Sequence, residues 1–369
     1  ANTWQTNNVS VAPNGSEKIG GIASTATLNT EGQSVTFVYI DGTQGWVNVL
    51  DSTSNIRGAD FLTASGGNAI VTCGNYKMHI FTGPGTFCVS ALATQPADNN
   101  NVDYMIVGGG GGAGAQGGGG GAGGYRESPG AATCYTASPL GASPMTFETV
   151  TVQGYAVLAG GGGASAPDIP AAGTNGSVAS VFGCTSAGGG GGGSDGPKAG
   201  SPGGSGGGGG HSSSGTGGTG NTPSTTPPQG FNGGIGLNPP SAAHGGGGGG
   251  GGGAVGQAGT SVKGGDGGIG SYTQILGSTP TAPSYGEPGP ATGRYFTGGG
   301  GGNANPGSSG GGAGGIGGGG NGADGTETAT AGSCNTGGGG GSAWGAYCAP
   351  YTNPGNGGSG LVIIRYKYQ

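Results

Sequence analysis

Apolar and polar positions form readable patterns mainly near the two ends of the chain and just before a long glycine tract. Residues 34–40 (Ser-Val-Thr-Phe-Val-Tyr-Ile) are a β-branched and aromatic run that stops at Asp41-Gly42. Gly45-Trp46-Val47-Asn48-Val49-Leu50 answers it. This pattern predicts a β-hairpin with Thr43-Gln44 near its tip. Val9-Ser10-Val11 alternates ahead of it, and Lys77-Met78-His79-Ile80-Phe81 and Thr86-Phe87-Cys88-Val89 flank Gly83-Pro84-Gly85, which reads as a second hairpin. Val102-Asp103-Tyr104-Met105-Ile106-Val107 and, near the C-terminus, Leu361-Val362-Ile363-Ile364-Arg365-Tyr366 read as strands. Shorter strand-like runs occur at 149–152, 155–158 and 177–182. No stretch repeats apolar residues with a helical period, so no α-helix is expected.

Between the last two long strands the pattern disappears into glycine. Residues 108–112, 117–121, 188–193, 206–210, 245–253, 298–302, 317–320 and 337–341 are glycine runs, cut by short polar or aromatic inserts. Glycine accounts for 106 of 369 residues, while charged residues make up only 7% and hydrophobic ones 31%. Disordered chains usually carry high charge, and ordinary globular chains more apolar residues, so neither class fits. Collagen needs a strict third-residue glycine period, which is missing. The remaining ordered choice is a bundle of polyglycine helices in the polyproline-II conformation, with three residues per turn and no internal hydrogen bonds. Packed side by side, such helices pair their outward-pointing N–H and C=O groups laterally. Each hydrogen bond contributes roughly 1 kcal/mol net and ordering each glycine costs at least as much, so one helix alone is unstable and the bundle must be many-stranded. The expected architecture is an all-β N-terminal region, residues 1–65, followed by a polyglycine-II bundle or sandwich over 66–369. Its leading strands are expected at 77–107 and its closing strand at 361–368.

Charge and chemistry narrow the function. The net charge is −6, and the nine Lys and Arg residues are scattered, which excludes nucleic acid and anionic membrane surfaces as partners. No apolar run approaches the ~20 residues of a membrane-spanning helix, so the chain is not expected to insert in a membrane. The chain starts at Ala1, without a visible signal peptide, and is read as processed or incomplete at that end. Six cysteines (Cys73, Cys88, Cys134, Cys184, Cys334 and Cys348) permit disulfides: Cys73 and Cys88 bracket the second hairpin, and Cys334 and Cys348 flank one insert. There is no CxxC pair, and His79, His211 and His244 lie far from ligand spacing, so no metal site and no cofactor are expected. Asp266, Asp324 and Glu327 sit in glycine surroundings without a partner at catalytic spacing, so the chain is not read as an enzyme.

The tract resembles a known family. The strand ending Tyr104-Met105-Ile106-Val107, the segment 117–126 (Gly-Gly-Gly-Gly-Gly-Ala-Gly-Gly-Tyr-Arg), the upstream Phe81-Thr82-Gly83-Pro84-Gly85-Thr86-Phe87 and the closing Gly360-Leu361-Val362-Ile363-Ile364-Arg365-Tyr366 are similar to the glycine-rich domain of phage tail-fibre proteins. The likeness is greatest to marine phage virion proteins, those of cyanophages included. It implies a polyglycine-II sandwich located on the virion surface, with other fibre and tail proteins as partners, a homotrimeric state, and residues 1–65 as an attachment or shaft region. It also implies host-receptor binding, to a cell-surface glycan or an outer-membrane protein, through loops between the helices. No binding residue carries over, because those loops vary. The aromatic inserts are the candidates: Tyr285, Tyr295, Phe296, Trp344, Tyr347 and Tyr351 cluster in two inserts of an aromatic-poor tract, and aromatics at loop tips stack on sugars or fill receptor pockets. The rival readings are a purely structural fibre component, an antifreeze protein of polyproline-II helices with a flat regular face, and an extracellular matrix protein.

Overall fold

The computed structural model describes residues 4, 6–30, 34–51, 61–94, 97–141, 146–196, 199–211, 215–237, 244–277, 285–306, 309–325, 327–344 and 353–369. The chain divides into two compact units, Ala1–Asp60 and Phe61–Gln369. The division falls earlier than residue 65 because residues 63–65 form a strand of the second unit. Among the described residues the architecture is all-β, with no α-helix and one short 3-10 turn at Ala97–Asn100.

In the first unit, β1 (Val9–Val11) pairs antiparallel with β2 (Ala26–Leu28), and β3 (Val35–Asp41) with β4 (Gly45–Asp51). The β3–β4 reversal is fixed by Asp41, whose Oδ1 accepts hydrogen bonds from the backbone N–H of Thr43 (2.8 Å) and Gln44 (2.6 Å), the side-chain turn that favours Asp there. Trp46 is only partly covered, and its indole N–H donates to Glu17 at 2.9 Å.

The second unit starts as a two-layer sandwich. One sheet has the order β10-β9-β17-β7-β6, formed by β6 (Ala69–Cys73), β7 (Tyr76–Phe81), β9 (Asn101–Val107), β10 (Tyr125–Glu127) and β17 (Leu361–Lys367). β11 (Glu148–Thr149) also pairs with the start of β9. The other has the order β12-β8-β5, formed by β5 (Thr63–Ser65), β8 (Gly85–Ala91) and β12 (Gly154–Val157). The expected hairpin around Gly83-Pro84 is not one. β7 and β8 lie in different sheets, because Phe81 and Phe87 both turn into the core between the layers, so the chain crosses from one sheet to the other. Val102, Tyr104 and Ile106 of β9 and Val362, Ile364 and Tyr366 of β17 face this core. Met105, Val107, Leu361 and Ile363 face the opposite way, against Tyr125, Ile275 and Phe296. Burial on both faces explains why β9 and β17 read as nearly continuous apolar runs. The two strands also pair with each other, Leu361 opposite Val107 through Arg365 opposite Asp103, so the first and last residues of the glycine tract are held side by side. Two small hairpins complete the strands: β13 (Ala179–Val181) with β14 (Cys184–Ser186), and β15 (Ser271–Thr273) with β16 (Arg294–Phe296).

The glycine runs form a lattice whose hydrogen bonding repeats every three residues. In the segment 108–115, the N–H groups of Gly108, Gly111 and Gly114 donate to the carbonyls of Gly124, Gly121 and Gly118. Those of Gly109 and Gly112 donate to Ser177 and Thr174, and those of Gly110 and Ala113 to Gly358 and Gly355. Consecutive N–H groups therefore point to three different neighbours, the signature of a three-residue turn. The carbonyls of the same segment accept from Gly163 and Ala166, from Gly189 and Gly192, and from Gly340. One helix thus has six hydrogen-bonded neighbours. The segment 117–124 repeats the arrangement, donating to 190–193, 247–250 and 337–340, and accepting from 111–114, 205–208 and 300. At the lattice edge the third position carries an exposed side chain, as with Thr216 and Thr219 or Asn232 and Ile235, while its carbonyl still accepts from a neighbouring segment, here from the N–H groups of Gly200, Gly203, Gly256 and Gly259.

Inside the lattice, a Cβ built on Gly111 would overlap the carbonyl of Gly190, and one built on Gly120 the carbonyl of Gly111. These contacts are backbone against backbone, so no rotamer can relieve them. Gly120→Ala is expected to destabilise the second unit by at least about 1–3 kcal/mol, the usual cost of overpacking. Gly83→Ala, where a Cβ meets nothing within 4 Å, should be near neutral. Thermal melts of the two variants check this, and equal midpoints would contradict the lattice.

Candidate functional site

The lattice has two unlike ends. Segment 108–115 leaves β9, reverses at Gln116 (φ 47°), and returns as 117–124 into β10. The sandwich therefore marks one end and Gln116 the other. At the far end isolated bridges join Ala115 to Ala343, Leu237 to Gly245 and Gly245 to Ala304. Asp195, His211, Leu237, His244, Ala304 and Trp344 accordingly lie at the far end. The inserts at 125–158, 178–186, 220–230 and 271–297 open at the sandwich end, where Tyr125 N–H donates to Gln229 and Thr297 N–H to Thr336.

This segregation splits the aromatic candidates. Tyr295 and Phe296 lie in β16 at the sandwich end and are buried. Phe296 packs with Met78, Tyr125 and Ile363, and Tyr295 lies 5.8 Å from Tyr272. Tyr285 packs at the edge of the same cluster, and its carbonyl accepts a hydrogen bond from Arg294 Nε at 2.9 Å. Phe296 and Tyr285 cover the back of the sheet, where Phe296 meets Met105, Val107, Leu361 and Ile363, and Tyr295 is buried beside Tyr272 outside that cluster. Trp344 alone of the described candidates is at the far end; Tyr347 and Tyr351 lie outside the described residues.

Trp344 is one ring of a three-ring stack. Its centroid is 6.0 Å from that of His211, the planes 8° apart, and His211 is 4.7 Å from His244 at 25°. His211 is 4% exposed, and its Nε2 faces Asp195 Oδ1 at 3.9 Å. Burial holds the His211 imidazole below its ordinary pKa, with the neighbouring His244 adding to the effect, while Asp195 and the Gln116 backbone oppose it. At the same end of the lattice, Asn303 is fully buried. Its N–H donates to the Gly117 carbonyl at 3.1 Å, and its carbonyl accepts from Gly246 at 2.9 Å. Sequence spacing hides this group, since 33 residues separate the histidines (211 to 244) and 100 more separate His244 from Trp344. The available signal was position: His211 follows the run 206–210, His244 precedes 245–253, and Trp344 stands three residues after 337–341, all near run ends.

A family model described as a glycine-rich domain matches residues 81–367. The chain belongs to this glycine-rich domain family. No curated protein matches the chain. The match takes in β8, β9, β17 and the whole lattice, and leaves the first unit outside.

The glycine-rich domain also buries a second polar cluster, at the sandwich end. Glu127 is fully buried and accepts hydrogen bonds from Tyr125 Oη (2.8 Å), Tyr135 Oη (3.0 Å), Ser138 N–H (2.7 Å) and the Thr273 hydroxyl. Asp103 accepts from Ser128 Oγ (2.7 Å) and from Thr133 N–H and Oγ1 (2.8 and 2.7 Å). Arg365 donates to Thr133 Oγ1 and to the Ile275 carbonyl, with Tyr76 stacked 4.4 Å away. A carboxyl raised in pKa is often catalytic, but here its oxygens are engaged by the protein's own donors, so the cluster fastens the inserts to the sheet. The cysteines do not fasten it. Cys73 closes β6 and Cys88 lies in the opposite sheet, which separates the pair that the sequence brackets. Cys73, Cys88, Cys134, Cys184 and Cys334 are free thiols, and Cys348 lies outside the described residues.

Burial raises Glu127 from 4.5 to about 7. The folded domain keeps its proton up to about pH 7, whereas the unfolded chain loses it near 4.5, so this group's contribution is most favourable below 4.5 and declines between 4.5 and 7. The decline amounts to about 3 kcal/mol. His79 and His211, held neutral by burial, give slopes of opposite sign, so the difference between wild type and Glu127→Gln isolates the carboxyl. Denaturant titrations from pH 4 to 8 are expected to show wild type losing stability relative to the variant across that window. A constant difference would contradict the assignment.

Proposed function

We propose that this glycine-rich domain is a virion fibre tip whose far-end inserts bind a receptor on the host surface, a cell-surface glycan or an outer-membrane protein. The observation that carries the reading is the separation of the two ends. The chain enters the domain through β5 in the sandwich, while His211, His244 and Trp344 gather at the opposite end. Loops tied at both ends to a hydrogen-bonded lattice lose little freedom on binding, which favours recognition. The first unit supports the fibre part of the reading. Its β3–β4 hairpin exposes Val38, Tyr39, Ile40 and Val49, more apolar surface than a two-stranded ribbon retains unaided. We assign that surface to contacts with other fibre and tail proteins and with further copies in a homotrimer on the particle. The reading involves no catalysis.

Labelled protein incubated with a panel of marine bacteria, cyanobacteria included, is expected to be retained by pelleted cells of the host. Replacing residues 237–243 and 345–352 with glycine-serine spacers of equal length should reduce retention at least tenfold, and replacing 278–284, between β15 and β16 in the sequence, should leave it unchanged. If the far-end replacement is retained as well as wild type, host binding is wrong and a purely structural fibre component is left.

A further inference from the structure

The hydrogen bonds of the lattice describe a hexagonal packing with one place open. Segment 117–124 is its centre, and five of the six segments around it are themselves bonded to six neighbours. The sixth, 188–194, is bonded to five: 108–115, 117–124, 173–177, 201–204 and 205–208. The open place lies between 173–177 and 201–204, which flank 188–194. Among the described residues no backbone segment bonds there, but a side chain does. Asn175 Oδ1 accepts from the Gly191 N–H at 2.9 Å, and its Nδ2 donates to the Pro202 carbonyl at 3.1 Å. A helix in that place would accept from 188–194 and donate to 201–204, so one side-chain amide stands where its peptide group would be.

The same device recurs around the rim. Oδ1 of Asn232 accepts from Gly220 N–H at 2.8 Å, Oδ1 of Asn321 from Gly314 N–H at 2.8 Å, Oδ1 of Asn356 from Ser165 N–H at 2.8 Å, and Oδ1 of Asp266 from Ala313 N–H at 2.7 Å. In each case the acceptor stands on the adjacent helix, as the bonds Gly233 to Gly218, Gly322 to Gly312, Gly357 to Gly163 and Gly267 to Ala313 show. Asn and Asp are the side chains short enough to bond nearby backbone in this way. Pro202, exposed on the rim, has no N–H to offer at all. A bare row of N–H groups is a template for another chain, the hazard that a sheet edge also carries.

We propose that Asn175, Asn232, Asn321, Asn356 and Asp266 terminate the lattice, by taking the bonding positions that a polyproline-II segment of a second copy of this chain would otherwise occupy. The rim is then an interaction surface kept closed by its own side chains. Its natural occupant is another lattice of the same kind, because only a polyproline-II segment presents carbonyls at the three-residue repeat of the capped N–H groups. The caps keep crowded copies from fusing side by side, whatever the far end binds.

The test uses the full chain. Asn175→Gly, Asn232→Gly and Asn321→Gly are made singly and together, and Thr216→Gly/Thr219→Gly serves as a control that bares the rim without removing a cap. In wild type, the amides of Gly191, Gly220 and Gly314 are expected to exchange at least about tenfold more slowly than those of Thr216 and Ile235, which carry no cap. Each single variant should lose the protection of its own capped amide. In sedimentation over about a hundredfold range of concentration, the triple variant should at least double its average mass relative to wild type, with 117–124 still protected, which separates lateral assembly from unfolding. The control should match wild type. If the capped amides of wild type exchange as fast as those of Thr216 and Ile235, the proposal is overturned. It is overturned equally if the triple variant loses the caps and keeps the wild-type mass, or if the control associates as strongly. Wild-type exchange decides on the caps even where a variant fails to fold, and the single variants are then read for mass in place of the triple one.

Discussion

The hydrogen bond between neighbouring glycine backbones is the interaction on which the second unit depends. A polyproline-II helix makes no bonds within itself, so each segment is ordered only by the segments around it. With six partners around 108–115 and 117–124, lateral bonds worth roughly 1 kcal/mol each offset a comparable ordering cost per glycine. Such a balance closes only when many segments assemble together. It also explains the composition. Two helices share a hydrogen bond only if no Cβ stands between them, and at Gly111 and Gly120 the next backbone already occupies that space. The sandwich supplies what the lattice lacks, a conventional apolar core, and β9 paired with β17 joins the two ends of the glycine tract.

The same interaction dictates where variety can reside. The sides of interior helices are saturated by neighbours, so side chains larger than alanine or serine gather at the lattice edge or in turns. The turns fall at two ends with different surroundings. Those next to the sandwich are drawn onto the sheet through Tyr125, Ile275 and Phe296 and through the Glu127 and Asp103 hydrogen bonds. At the far end, among the described residues, His211, His244 and Trp344 stack on one another.

The strands were legible in the sequence wherever β-branched and aromatic residues ran together, as in 35–40, 102–107 and 361–366, and the absence of helical periodicity was equally clear. Pairing was less legible. Gly83-Pro84 looks like a hairpin tip, but Phe81 and Phe87 share a core between two sheets, which periodicity along one strand does not reveal. Tyr295 and Phe296 stood out by composition, yet composition does not say to which end a turn belongs, and the sandwich end buries them. The histidine pair was invisible for a related reason. Spacing along the chain reveals a cluster only within one local element, whereas a lattice brings together residues that are distant in sequence but adjacent across helices.

Residue-resolved amide hydrogen exchange tests the central claim most directly. If the glycine runs form the lattice, consecutive amides from 108 to 114 and from 118 to 124 are all protected, on the timescale of β9 and β17 and with no residue skipped, because each donates to a different neighbouring segment. Rapid exchange through those runs, with β9 and β17 still protected, would show a sandwich carrying an unpaired glycine tract and would contradict the account.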